Sequence, residues 1–486
     1  MSSKLRVRKS ENIHVLIQMN SSFKIFCNIT SIAATIVCFL SLTGVYLNVS
    51  LLPLAFFFFV NVISFLPNIW RRFPLSTYFL IVLLWIRMVF LSLYGALDGF
   101  FTELGDSIEM EQYLIPSLSL CLYDCVAITL FFVFLSFRKE RFKIESPKRD
   151  LLYGRREIYV ILIAVALFAY FSVGRALHLY DFAIKPVGGD YERESEFLDA
   201  RSQIIRQLIS SGILFLFFII LEACKKKQDL TRSNRFFYYS LICAILFIFI
   251  ITGERRTSQL YKAFASIYVL LKLFPKNRKK IISCIGLATF GVLALMTIYK
   301  HFNAFLFDSY YEAVQNSSIT GGFSYGLLDA YFYGPNTIAK NIYYGRMIDT
   351  DFGQFLYDFF RNVFGLNFFV PGGRLLTSQI YNSIIYSGNQ MTGFLISSIG
   401  YGYLYCGFAL APFVTIFNVV MMVFLEKNLM KCRTIEWQYV WAFIFIRFAF
   451  GALGSSLPLL NLTTRFFIIN GLIIGIARLF KYKTDE

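Results

Sequence analysis

The stretch "FKIFCNITSIAATIVCFLSLTGVYL", residues 23–47, carries a single charge. About 20 apolar residues in a helix cross roughly 30 Å of hydrocarbon, so this stretch is long enough to cross a bilayer. It is also too long for a cleaved signal peptide and has no small-residue cleavage site, so it reads as a retained first span. "IYVILIAVALFAYFSVG" at 158–174 repeats the pattern. Over 486 residues the chain is 57% hydrophobic and only 16% charged, against about a quarter charged in soluble domains. Together these predict an all-α polytopic membrane protein.

Working outward from that first run, twelve spans are expected at about 24–45, 48–67, 74–96, 114–137, 157–176, 206–223, 236–252, 258–274, 281–299, 406–425, 436–453 and 464–480. Basic connections alternate with less basic ones. "KLRVRK", "WRRF", "RKERFKIESPKRD", "KKKQDLTRSNR", "PKNRKK", "EKNLMKCR" and the C-terminal "KYK" fall on one side. "LDGFFTELGDSIEMEQ" at 97–112, with five acids and no base, falls on the other. Lysine and arginine collect on the cytoplasmic side, so both termini are expected there, with 1–23 and 481–486 as tails. The net charge of +17 has the same origin, and no basic, aromatic-interleaved soluble segment suggests nucleic acid. Nine cysteines lie in or near apolar runs or basic loops, with neither a disulfide framework nor a CxxC metal pair.

Two outer loops are long. One runs from about 174 to 205 within the first nine spans (24–299). The other, 300–405, precedes the last three (406–480). A loop of that length is usually functional. Its aromatic stretches "DAYFYGPNTIAKNIYYG" and "FGQFLYDFFRNVFGLNFFVPGG" predict short helices on the membrane interface. The glycine-broken "MTGFLISSIGYGYLYCG" at 391–407 reads as an interfacial or re-entrant helix, since a full span there would break the charge alternation.

Against this topology "ITGERRTSQL" at 251–260 stands out. It puts Arg255 and Arg256 at the outer boundary, against the positive-inside trend. On a helix Arg255, Gln259 and Lys262 share one face, a stripe descending about 10 Å at 1.5 Å per residue. Ionisable residues at such depth face a bundle interior or a wet cavity and mark functional paths; pairing with Glu254 and snorkelling of Lys262 are the blander account. Two further elements have an arginine, ten residues and a glycine: Arg201 to Gly212 with Arg206 between, and Arg361 to Gly372 with Arg374 just beyond. Arginine forks suit phosphate and glycine admits an anion to the backbone. Each arginine alone is equally explained by a pair with Glu192, Glu194, Glu196 or Asp358; together they favour an outward site for a diphosphate. The "DTD" at 349–351 has metal-pair spacing but reads first as solvated acids, as do Asp98, Glu103 and Asp106. His178 and His301 sit at outer span ends, where a histidine is a base near neutral pH. No HExxH, Walker A or suitably placed GxSxG occurs.

The two Arg–ten–Gly elements, the enlarged outer loops and "TGERRTS" at 252–258 resemble the Wzy-type O-antigen (oligosaccharide repeat-unit) polymerases of bacterial inner membranes. The last of these is similar to the Thr–x–Ser–Arg turn of O-antigen ligases, with Glu254 where a serine is expected. The resemblance implies a GT-C-like, metal- and cofactor-independent glycosyltransferase. It would use undecaprenyl-pyrophosphate-linked oligosaccharides at the periplasmic face, with a flippase and a chain-length regulator as partners. Arg255, Arg256 and Lys262 would hold pyrophosphate. Arg201, Arg206, Arg361 and Arg374 would close over the substrates, and Asp190, Glu192, Glu194 or His301 would be the base. Two rival readings are a lipid-linked oligosaccharide flippase and a glycosyltransferase with a lipid-monophosphate donor and acids in its first outer loop.

Overall fold

The computed structural model describes residues 21–99, 112–138, 151–173, 200–249, 256–301, 325–386, 388, 395–454 and 457–482. Among them every regular element is helical, and a helix occupies each of the twelve expected spans. In chain order the principal helices are α1 (Ser21–Ser41), α2 (Leu51–Ser64), α3 (Pro74–Trp85), α4 (Leu91–Asp98), α5 (Leu114–Phe137), α6 (Arg156–Val173), α7 (Ala200–Thr231), α8 (Arg235–Phe249) and α9 (Arg256–Leu273). They continue as α10 (Arg278–His301), α11 (Tyr325–Phe332), α12 (Pro335–Gly345), α13 (Phe352–Asn362), α14 (Thr377–Ile385), α15 (Ser398–Cys406), α16 (Phe413–Lys431), α17 (Ile435–Gly451) and α18 (Leu460–Tyr482).

Seven described segments are long and apolar enough to cross a membrane: α1, Gly44–Ser64, Pro74–Asp98, α5, Ile204–Thr231, Phe408–Lys431 and Leu460–Lys481. The apolar α8 is shorter. On α1, Ile25, Ile29, Ile32, Ile36 and Phe39 all point outward, a face only lipid would cover without cost. The chain is therefore a polytopic, membrane-embedded protein.

Its helices divide into two compact units. One comprises Met1–Lys143, Phe323–Lys427 and Arg447–Leu462; the other comprises Ile144–Gly322, Asn428–Ile446 and Thr463–Glu486. In the first unit α2 packs against α1 and α5, and the long 300–405 connection folds back as short helices, with α12 lying on α5 and on α15. Local chemistry sets their ends. Pro335 opens α12, where a missing N–H is no loss. Asp351 caps α13 by accepting from the Gln354 amide at 2.8 Å, and Ser397 caps α15 through the Gly400 amide at 3.0 Å. Gly407, at φ +71°, stops α15 after nine residues, about 14 Å at 1.5 Å per residue and far short of a span. Phe352, Leu356 and Phe360 expose an apolar stripe along α13 that Phe368 and Phe369 continue, as expected of a helix resting on the interface.

The sequence reading passed over a charge pair inside this unit. Between α3 and α4 the helix widens into a π-turn at Ile86–Phe90. The turn aims Arg87 at Asp124 on α5, with Nη1 2.8 Å from Oδ2 and both side chains almost wholly buried. Nη2 approaches Cys121 Sγ at 3.6 Å, while Arg87 Nε and Asp124 Oδ1 have no hydrogen-bond partner among the described residues.

In the second unit α7 packs against α6 and α8, and α9 against α8 and α10. Its core is aromatic: Phe217 stacks on Phe247 at 4.5 Å, and Tyr439 of α17 meets both edge-on.

Candidate functional site

The second unit holds a small, partly open cavity of about 30 Å³ whose lining, with Ile213 and Leu214 among it, is more apolar than polar; it has room for about two waters. Lys262 of α9 contributes the charge, and its ammonium lies 5.9 Å from the centre of the Phe247 ring. From α7 come Gln207, Ser210 and Ser211, with the Gln207 amide donating to Ser211 Oγ at 3.4 Å. Asn470 of α18 faces them. Tyr439, Phe443 and Phe466 complete the wall, the last two packed at 4.3 Å.

One acceptor in this cavity is unsatisfied, and a second lies elsewhere on α9. Asn470 is fully buried, and its amide group donates to the Phe466 carbonyl one turn back at 2.8 Å. Its Oδ1 receives nothing among the described residues, and the same holds for Oε1 of Gln259, which is 6% exposed. A buried carbonyl without a donor loses about 1–3 kcal/mol, so a hydroxyl-bearing ligand would gain by supplying one. Lys262 with the serines and Gln207 offers donors to an anion; Asn470 offers an acceptor to a hydroxyl. Gln259 and Lys262 lie one turn apart on α9, and of the two only Lys262 lines the cavity. Arg206, next to Gln207, is half-buried in the same unit.

The two Arg–ten–Gly elements fold in unlike ways. Arg201 and Gly212 are both on α7, about 16 Å apart along its axis, so the helix does not bring them together. Gly212 is not a loop glycine. It sits where α7 crosses α6, and a Cβ there would lie 2.3 Å from the Ala166 Cβ; its function is close helix packing.

Arg361 and Gly372 do meet. Arg361, in the last turn of α13, donates from Nη1 to the carbonyls of Asn367 at 3.0 Å and Val370 at 3.4 Å. Its Nη2 lies 3.4 Å from where a Gly372 side chain would begin. The Arg374 carbonyl accepts from Tyr357 Oη at 2.6 Å while its guanidinium covers that ring at 5.7 Å. Arg361 thus fastens its own loop, and the expected alternative of a pair with Asp358 is not realised. Asp358 is 2% exposed and accepts from Tyr405 Oη at 2.5 Å, from Gln354 at 2.8 Å and from the Thr377 amide at 3.1 Å. Burial raises its pKa, and these donors pull it back only in part. Asp329 on α11 is held likewise by Thr337, Tyr325 and the Asn336 amide, again with a pKa raised by burial. Both carboxylates have the full sets of partners expected of core residues.

Arg255, Glu254, Asp190, Glu192, Glu194, Glu196, His178, Glu103 and Asp106 lie outside the described residues. Arg256 opens α9, Arg201 lies in the first turn of α7 and His301 ends α10. The "DTD" acids include the α13 cap, Asp351. Among the described residues no three His, Cys, Asp or Glu side chains cluster to hold a metal. Asn470 was missed in the sequence, although a lone amide in the apolar run "RFFIINGLIIGIARLF" is the signal that finds it.

Comparison with protein-family models, curated proteins and solved structures gives no match to this chain.

Proposed function

We propose that this protein polymerises undecaprenyl-pyrophosphate-linked oligosaccharide repeat units at the outer face of a bacterial inner membrane, without a metal. The observation that carries the reading is the cavity in which Lys262 shares a wall with Gln207, Ser210, Ser211 and Asn470. It lies on helices of a membrane protein, about 9 Å along α9 from Arg256. In this reading α9 is one of the spans, and cations within spans mark substrate paths.

In the proposed reaction a sugar hydroxyl of one lipid-linked unit attacks the anomeric carbon of another. A new C–O bond forms as the bond to the pyrophosphate oxygen breaks. The hydroxyl proton passes to a base among Asp190, Glu192, Glu194 and His301, and undecaprenyl pyrophosphate departs with the bonding pair. Lys262, together with Arg255 and Arg256 in this proposal, offsets the charge that builds on the leaving group, a contribution worth about 10²–10³ in rate for a single well-placed donor. Asn470 Oδ1 accepts a hydrogen bond from a hydroxyl of the bound glycan. Because the cavity holds only about two waters, the helices around it must part for more than the terminal oxygens to enter. A flippase and a chain-length regulator are the expected partners.

The test is chemical. Purified protein in detergent, given two lipid-linked units, should join them and release undecaprenyl pyrophosphate, and Lys262→Ala should cut the rate by about 10² or more. No joining by the folded wild-type protein would sink the proposal. The lysine in this cavity also favours a second reading, a transporter of lipid-linked oligosaccharide; a transporter has no reaction to perform in detergent.

A further inference from the structure

A second cavity in the same unit, of about 220 Å³, opens beside the N-terminus of α6. Four cations line it from three separate parts of the chain: Arg155 and Arg156, Lys226 of α7 and Lys481 of α18. Arg155 pairs with Glu157 at 3.0 Å and Lys226 with Glu222 at 2.7 Å. Both carboxylates also line the cavity, so four cations against two anions leave an excess of two positive charges. Arg156 is exposed, and its charge, like that of Arg155, acts on the neighbouring Glu157, so one carboxylate serves two guanidiniums. Arg156 stands at the first residue of an 18-residue helix, whose free amides and dipole add to the attraction for an anion.

The walls are built rather than loose. The amides of Tyr153 and Gly154 donate to Glu436 Oε1 at 2.8 and 3.3 Å, and the Arg155 amide donates to the Ala477 carbonyl at 3.0 Å. Arg478 covers the Tyr153 ring at 4.8 Å. The segment carrying the two arginines is therefore pinned to α17 and α18 before any ligand arrives.

We propose that this cavity binds the phosphate headgroup of an anionic phospholipid. A phosphodiester, a monoanion, is attracted by the two-charge excess without exhausting it, and its two free oxygens suit the arginine fork. The choice of a lipid over a soluble phosphate rests on the apolar surroundings. Leu151 and Leu152 line the cavity itself. From the second turn of α6 onward, Ile161, Val165 and Phe168 project outward, 59%, 47% and 75% exposed. They give the helix whose first residues line the cavity an exposed apolar surface on which acyl chains can lie. The positive-inside trend puts this end of the helices at the cytoplasmic leaflet, whose anionic lipids attract basic pockets. The inference is independent of the polymerase reading.

The test is lipid retention. Protein in mild detergent is titrated with phosphatidylglycerol, with phosphatidylethanolamine and with inorganic phosphate, and the bound species are counted by native mass spectrometry. Phosphatidylglycerol should be retained in preference to phosphatidylethanolamine. Arg156→Gln should weaken retention about fivefold, the effect of about 1 kcal/mol per cation near an anionic headgroup. Lys227→Gln removes an exposed cation outside the cavity and should leave retention unchanged. Equal retention of both lipids overturns the proposal. So does an equal loss in Lys227→Gln, which would mean diffuse surface charge, or displacement of the lipid by millimolar inorganic phosphate. Should Arg156→Gln lower the melting temperature, Lys481→Gln supplies the same comparison.

Discussion

Replacing Asp124 by leucine removes one half of the Arg87–Asp124 pair and leaves a guanidinium with nothing to neutralise it. The contact is 2.8 Å and both side chains are at most 1% exposed. With charge centres about 4 Å apart, the attraction is about 4 kcal/mol at an effective dielectric near 20. Burying both ions costs a comparable amount, so the pair as a whole contributes little net stability. Breaking it, however, costs about 3–5 kcal/mol because a lone buried charge remains. Asp124→Leu and Arg87→Met should each destabilise by that amount, whereas the double variant should fall within about 1–2 kcal/mol of the wild type. The assay is a double-mutant cycle on detergent-purified protein, read by denaturant unfolding and by the fraction that stays monodisperse after a heat step. Single losses below about 1 kcal/mol, or a double variant that loses the sum of the singles, would refute the reasoning and show that water or a hinge in the π-turn relieves the charge.

Three further outcomes are expected. Gly212→Leu puts a side chain where even a Cβ would be 2.3 Å from Ala166; it should cost about 1–3 kcal/mol or more by overpacking and reduce the yield of folded protein, with Ala166→Gly restoring part of it. Arg361→Ala removes both carbonyl contacts that fasten the following loop, about 2–3 kcal/mol of local stability; limited proteolysis should then cut within 363–374, and Arg361→Lys should not restore protection, since a point charge cannot reproduce the fork. Burial raises the folded pKa of Asp358 above its ordinary 3.8, so the folded lobe prefers the protonated acid. The stabilisation is full below the ordinary value and is lost as pH rises through the folded one; pH-dependent melting should show this, and Asp358→Asn should flatten that part of the profile.

The membrane-embedded, all-helical class was legible because burial of apolar length in lipid leaves few alternatives, and each expected apolar run is a helix. The short helices of the 300–405 connection were legible from its Tyr, Phe and Gly content, and their caps, Asp351 and Ser397, follow from side chains that accept from helix amides. What eluded the sequence was direction. Arg–ten–Gly spacing reads the same whether the intervening residues turn back, as between Arg361 and Gly372, or run straight along a helix, as between Arg201 and Gly212. Of the expected stripe, Lys262 lines the cavity and Gln259 does not, while Arg255 lies outside the described residues. Asn470 is far from Lys262 in the chain, and its meeting with Gln207 depends on packing that periodicity does not encode. Arg87 was hidden for a similar reason: its partner lies 37 residues away on another apolar run.

The packing of α12 on α5 also sets a timetable. About 200 residues separate the end of one helix from the start of the other, and at about 5–20 residues per second the ribosome takes about 10–40 s to make them. Throughout that interval the face of α5 destined for α12 has nothing of its own chain to cover it. Whatever shields it meanwhile, lipid or an insertion chaperone, must later give way to a helix arriving from the far side of a long connection. Slowed synthesis between Phe137 and Pro335 would lengthen that exposure without altering a single residue of the finished protein.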